Sequence, residues 1–206
     1  DVIRLASGDV IIADNKYSSV FIGNFYDRTN MNRLIALNIS GFAVGTFGTN
    51  GIADVSWTTV VSDQPTTYIE KLMQDSSGDI LLAGFQSINN SGYLRPKGRL
   101  SKFTESGALI TNFGNSGIYN TDYASNFLSH GFHDIAEMAN GNYMVGASSI
   151  HQTNGAPDGN RGFVQVINSN GTLNTSYVPD GFLFNTESFM RIDNLHIQNS
   201  GKVVIL

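Results

Sequence analysis

The chain has no cysteine, which excludes disulfides, zinc–thiolate centres and thiol nucleophiles. Charged residues are scarce, at 14% of 206 residues, against about 25% in an average globular protein. Proline occurs only 4 times, whereas glycine is plentiful at 22 residues; this mix fits many turns and few salt-bridged helices. No apolar run approaches the roughly 18 residues of a membrane span, so direct membrane insertion is not expected, and no signal peptide is visible. The net charge of −5 argues against a general attraction to nucleic acid or anionic membrane. The length suits one domain, residues 1–206, with a sizeable core. A start at Asp1 and an end inside "GKVVIL" read as a piece of something longer.

What is present is repetition. A turn glycine precedes an apolar run in "SGDVIIA" (7–13), "SGDILLAG" (77–84), "NGNYMVG" (140–146) and "SGKVVIL" (200–206). A second phrase recurs as "LNISG" (37–41), "FTESG" (103–107) and "INSNG" (167–171), and a third as "FGTNGI" (47–52), "FGNSGI" (113–118) and "YVPDGF" (177–182). The glycines of the last two phrases are always ten residues apart: Gly41 and Gly51, Gly107 and Gly117, Gly171 and Gly181. An interval that survives length changes elsewhere implies one local backbone shape built three times. Phe47 and Phe113 are expected to plug the seams between sheets, with Tyr177 at the same motif position in the third copy, and Gly51, Gly117 and Gly181 to adopt conformations closed to other residues or to allow close backbone approach. A phosphate-binding reading of the phrase fails for want of a GxxxxGK[ST] pattern.

Each unit decodes as four strands, in the second copy 68–74, 79–85, 99–104 and a short strand near 117–121. Asn140-Gly141, Asn170-Gly171 and Asp180-Gly181 mark tight turns. Residues 133–140 offer the best helical pattern but align with strand 68–75 of the preceding copy. The runs "DVIIA", "DILLAG" and "KVVIL" are nearly continuous in apolar residues, as strands buried on both faces should be. The expected fold is therefore all-β, a propeller-type array of four-stranded antiparallel blades with repeats near 1–66, 67–130 and 131–190 and part of a fourth at 191–206. Propellers close with four to eight blades, so the chain is expected to form an arc completed by further residues or by another chain.

The stretches "DSSGDILLAGF" (75–85) and "RLSKFTESGALITNFGNSGI" (99–118), with their copies, resemble the delta-sixty repeat of bacterial β-propeller-like proteins. The third copy departs from the pattern, with Tyr177-Val178 for Phe-Gly and Phe163 where Arg33 and Arg99 stand. The resemblance implies a secreted or surface-associated bacterial protein, no shared enzyme activity and no cofactor.

Candidate chemistry is sparse. "SHGFHD" (129–134) gathers Ser129, His130, His133 and Asp134, but a triad is assembled from residues distant in sequence, and residues three apart on a strand face opposite ways. Glu70, Glu105, Glu137 and Glu187 fall at different repeat phases. The oxygen-rich turns 75–79 and 156–162 lack the ligand series of a calcium loop. No catalytic residue and no metal ligand is assigned. Arg95, Lys97, Arg99 and Lys102 read as a solvated edge that guards against sheet pairing. Three long polar segments, 25–32, 85–98 and 148–160, are expected to be rim loops at one repeat phase. Loops on a rigid frame commonly carry recognition, and Tyr26, Arg28, Tyr93, Arg95, His151 and Asp158 suit a protein or glycan partner. The expected function is a non-enzymatic binding or structural module of an exported or cell-surface protein. The alternatives are a subunit, plug or cargo of an envelope or secretion assembly, and a propeller-type glycan hydrolase or lyase.

Overall fold

The computed structural model describes residues 1–22, 25–55, 57, 67–90, 93–121, 127–153, 156–177, 183–184, 191–198 and 200–206. At 16–22, 25–31, 88–90, 93–95, 127–130, 151–153, 156–158, 160 and 183–184 the description is of the backbone alone. Among these residues there is no helix, and the strands form four antiparallel sheets. The first sheet is β1 (Val2–Arg4), β2 (Val10–Ile22), β3 (Phe25–Leu37) and β4 (Ile52–Val55), in that order. The second is β5 (Thr67–Gln74), β6 (Ile80–Asn90), β7 (Tyr93–Phe103) and β8 (Ile118–Asn120). The third is β9 (Phe127–Glu137), β10 (Tyr143–Thr153), β11 (Ala156–Ile167) and β12 (Leu183–Phe184). β13 (Leu195–Ile197) and β14 (Val203–Ile205) pair as the fourth.

Local turn chemistry repeats with the sequence. Between the first two strands of each sheet, Leu5 N–H donates to the Asp9 carbonyl at 2.8 Å, Asp75 to Asp79 at 2.9 Å, Met138 to Asn142 at 2.8 Å and Gln198 to Lys202 at 2.8 Å. β5 and β9 each carry an extra residue against the neighbouring strand, Glu70 and His133, as a bulge at the same repeat position, and β9 has a second shift between Ser129 and Phe127. The segment at 133–140 is strand as far as Glu137, in line with its alignment to β5.

The sheets stack through shared cores, and strand alternation accounts for the continuous apolar runs. Ile80 and Leu82 of β6 pack with Ile11, Leu34, Ala36 and Phe47 of the first sheet's unit. Their neighbours Leu81 and Ala83 point the other way, into a cluster with Phe132, Tyr143, Val145 and Phe163 of the third. Met144, Val164 and Val166 leave the third sheet's far face to meet Ile192 and Leu195 beside β13. Successive side chains of one strand thus serve successive seams.

The recurring Phe-Gly phrase fastens one unit to the next. Phe47 and Phe113 are buried, and the N–H of the glycine four residues on donates to each one's carbonyl at 2.9 Å. Gly51 and Gly117 have φ of 88° and 89°, and the residues before them, Asn50 and Ser116, are also left-handed at 53° and 54°. The fixed interval therefore encodes one backbone shape in the first two copies; Gly181 lies outside the described residues. Gly48 N–H donates across the seam to the Ser106 carbonyl at 2.8 Å, and Gly114 N–H to that of Asn170 at 2.8 Å. The first and second phrases thus each grip the turn of the following copy. Tyr177, in the third copy, is 48% exposed.

Gly41 and Gly107 share the same φ, 81° and 82°, but a Cβ on Gly107 would lie 2.9 Å from the Phe47 ring, whereas Gly41 has nothing within 4 Å. Gly41→Ala should cost only left-handed strain, about 1–2 kcal/mol. Gly107→Ala should cost roughly 1–3 kcal/mol more through overpacking. Urea unfolding of both variants checks the difference, and equal losses would mean that the ring does not constrain the turn.

The expectation of rim loops is corrected. Residues 25–32, 85–90, 93–98, 148–153 and 156–160 continue the strands: β2 and β3 stay paired from Val10 with Leu37 out to Ile22 with Phe25, β6 and β7 out to Asn90 with Tyr93, and β10 and β11 out to Thr153 with Ala156. Backbone pairing needs no apolar side chains once the inner hairpin has set the register. β1 covers only Val10–Ile12 and β4 only Asn32–Ile35, so residues beyond them form a two-stranded arm.

Candidate functional site

Three seams place equivalent residues side by side. Val44, Ile110 and Asn174 donate their N–H groups to the carbonyls of Ala36, Lys102 and Val166, which makes these last three equivalent. Leu5, Asp75 and Met138 open the equivalent turns, and Asp9, Asp79 and Asn142 close them.

The second seam is ionic. Lys102 Nζ lies 2.9 Å from a carboxylate oxygen of Asp75 and 2.9 Å from one of Asp79. Tyr143 Oη donates to Asp75 Oδ2 at 2.8 Å, while Asp75 Oδ1 accepts the N–H groups of Ser77 and Asp79 at 2.9 and 3.0 Å. The side chains of Asp75 and Lys102 are 1% and 11% exposed. Burial pushes the Asp75 carboxyl up, but the hydrogen bonds from Lys102 and Tyr143 and the lysine charge outweigh it and hold it below its usual value. Burial likewise lowers the Lys102 ammonium, yet its hydrogen bonds to the two aspartates leave it raised. Burial drives the Tyr143 hydroxyl up to about 12. A basic edge in solvent was expected for Lys102 and Arg99, and both are corrected. Arg99 Nη1 donates to the Trp57 carbonyl at 3.2 Å, and burial lowers its guanidinium to about 10. Trp57 is fully buried and donates to Ser101 Oγ at 2.7 Å.

The first seam has Leu5 and Ala36 in place of Asp75 and Lys102, and a hollow of about 470 Å³ opens there. Leu5, Ile11, Ala36, Val44 and Phe47 form its apolar floor; Ser7, Asp9, Thr46, Thr104, Glu105 and Ser106 supply polar groups. Asp9 Oδ2 accepts from Ser7 Oγ at 3.3 Å. Among the described residues no basic side chain pairs with Asp9 or Glu105. At the third seam Met138 and Val166 stand at these positions. A hollow of about 550 Å³ lies beside Met138, between Glu137–Asn140 on one side and Ile197, Gln198 and Gly201 on the other.

His133, the bulge residue of β9, meets Ser148 Oγ at 2.7 Å through Nε2. Its buried Nδ1 has no hydrogen-bond partner, and burial lowers the ring to about 4. The neighbouring Asp134 accepts the Leu195 N–H at 2.6 Å and lies 3.5 Å from Lys71 Nζ. The ring and this carboxylate therefore serve different partners. The side chains of Ser129 and His130 lie outside the described residues. No group of three His, Asp or Glu among the described residues is placed to hold a metal ion.

Of the six expected recognition residues, Tyr26 and Arg28 lie on β3, Tyr93 and Arg95 on β7, His151 on β10 and Asp158 on β11; their side chains lie outside the described residues. The hairpins that carry them have the same position in each of the first three sheets, but in the third β9 stays paired with β10 out to His151, so only the end of that hairpin is two-stranded. Sequence reasoning missed the Asp75–Lys102–Tyr143 group, whose only trace was the apolar context of Lys102 between Leu100 and Phe103. No protein-family model matches the chain, and no curated protein matches it.

Proposed function

We propose that the chain is a non-catalytic binding module of propeller type, belonging to an exported or surface-displayed bacterial protein of the delta-sixty repeat kind, and that its paired arms engage a protein or glycan. The observation that carries this reading is the recurrence of the long hairpins β2–β3, β6–β7 and β10–β11 at one repeat phase, on a scaffold of sheets stacked through shared cores. Propeller geometry draws support from face-to-face stacking of four-stranded units. It also draws on the outer face of the first sheet, where Val10, Ile12, Ile35 and Leu37 are only half-buried although their equivalents Ile80 and Leu82 are covered by a neighbouring unit.

A second reading, a subunit or cargo of an envelope or secretion assembly, draws on Ile39 and Phe42, 83% and 71% exposed in the first copy's turn. The glycan hydrolase or lyase reading draws no support from the second seam, where the carboxylates of Asp75 and Asp79 are both held by Lys102.

The test compares the whole chain with a variant in which Tyr26, Arg28, Tyr93, Arg95, His151 and Asp158 are serine. Both are challenged with native bacterial envelope, culture medium and a glycan array. The expected result is a ligand retained by the parent and lost by the variant at equal thermal stability. Retention by both would remove the arms from recognition, and retention by neither would remove the reading.

A further inference from the structure

We propose that the hollow in the first seam binds a primary alkylammonium group, supplied either by a lysine side chain of a partner protein or by a free diamine. The inference rests on the neighbouring seam. There, Lys102 lays its aliphatic stem between packed sheets and sets its ammonium between Asp75 and Asp79 at 2.9 Å from each. In the first seam the lysine position is Ala36, and the missing stem and ammonium correspond to the open volume. The acid equivalent to Asp79 is kept as Asp9, half-buried at the edge of the hollow. The acid equivalent to Asp75 is Leu5, so Asp9 is the acid kept from the ionic seam; Glu105, exposed on the turn of the following unit, adds a second carboxylate to the lining.

The third seam supplies the contrast. Its lysine position is Val166 and its acid position is Asn142, so both charges are lost together. The first seam lost the cation and kept the anion. Carboxylates above an apolar floor discriminate an alkylammonium from an alcohol by charge and from a small inorganic cation by the buried stem. The hydroxyls of Ser7, Thr46, Thr104 and Ser106 offer acceptors for the remaining N–H bonds.

The experiment titrates the isotope-labelled whole chain with n-butylammonium, cadaverine, Nα-acetyl-lysine methylamide and 1-butanol, following the amide resonances of Ser7, Asp9, Thr46 and Ser106. Saturable shifts are expected from the three amines, with 1-butanol at least fivefold weaker. Acetyl-lysine binding more tightly than cadaverine assigns the source to a partner lysine, and the reverse order to a free diamine; either order upholds the site. Ala36→Lys places a stem and ammonium where Lys102 has them and should abolish the shifts. Asp9→Asn, at the accessible edge, should weaken amine binding at least fivefold and decides the matter if Ala36→Lys does not fold. Equal affinity for 1-butanol, amine binding unchanged in Asp9→Asn, or no saturable shift with any amine would overturn the proposal.

Discussion

Replacing Lys102 by methionine lowers the stability of the chain by about 3–5 kcal/mol, the usual result of leaving a buried charge without its partner. Methionine keeps the stem volume, so the loss reports the ammonium. Asp75 would then retain only Tyr143 and two backbone N–H groups. The loss should depend on pH. In the parent, the folded Asp75 carboxyl is held below its unfolded value of about 3.8. Its contribution is therefore fully present above that value and disappears as the pH falls through the folded one. The gap between parent and variant should be widest near neutrality and should narrow below about pH 4. Urea unfolding at a series of pH values measures it. Asp75→Leu with Lys102→Ala and Tyr143→Ile installs the side chains of the first seam, where Leu5, Ala36 and Ile80 stand, and should recover most of the loss. Failure of that triple variant to exceed Lys102→Met would mean that the seam depends on its ions for more than neutralising one another.

Phe113→Ala should cost about 3–5 kcal/mol, the range for emptying a buried phenylalanine site. The ring is 1% exposed and meets Tyr143 edge-on at 6.3 Å. Its own backbone is fixed by Ile110 and Gly117, so the surroundings have little freedom to collapse. Tyr177→Ala, at the equivalent point of the third copy, should stay within about 0.5 kcal/mol because that side chain is half in solvent. Denaturant midpoints of the two variants give the comparison. A loss under about 1 kcal/mol at Phe113 would show that the phrase is kept for its backbone alone. Phe113→Ala and Lys102→Met both touch Tyr143, so their combined effect should fall short of the sum.

The seams were legible because they are local. The ten-residue interval, the turn glycines and the continuous run at 80–83 each depend on residues close in sequence, and they specified the turns, the sheets and, for β6, burial on both faces; the runs at 9–13 and 202–206 are covered on one face at most, with Val10 and Ile12 half-buried and Val204 and Ile205 37% and 40% exposed. The arms were misread because Asn, Ser, Arg and Gly in 85–98 look like loop residues, and only pairing across the hairpin distinguishes a ribbon from a loop. Lys102 was misread for a related reason. Its partners are 23 and 27 residues earlier in sequence, and a lysine beside Arg99 and Lys97 reads as surface until both aspartates fold over it. The Ser148 contact of His133 arises only because the bulge admits an extra residue in β9. The hollow at Ala36 was invisible for a simpler reason: a missing side chain leaves no pattern along a single repeat, only a difference between repeats.

The grip of Gly48 on Ser106 and of Gly114 on Asn170 has a genetic corollary. Because the first and second units hold their successors by the same backbone atoms, a duplication of one whole period between them delivers a matching clasp at the new junction. The junction chemistry is in this sense independent of how many units stand on either side of it.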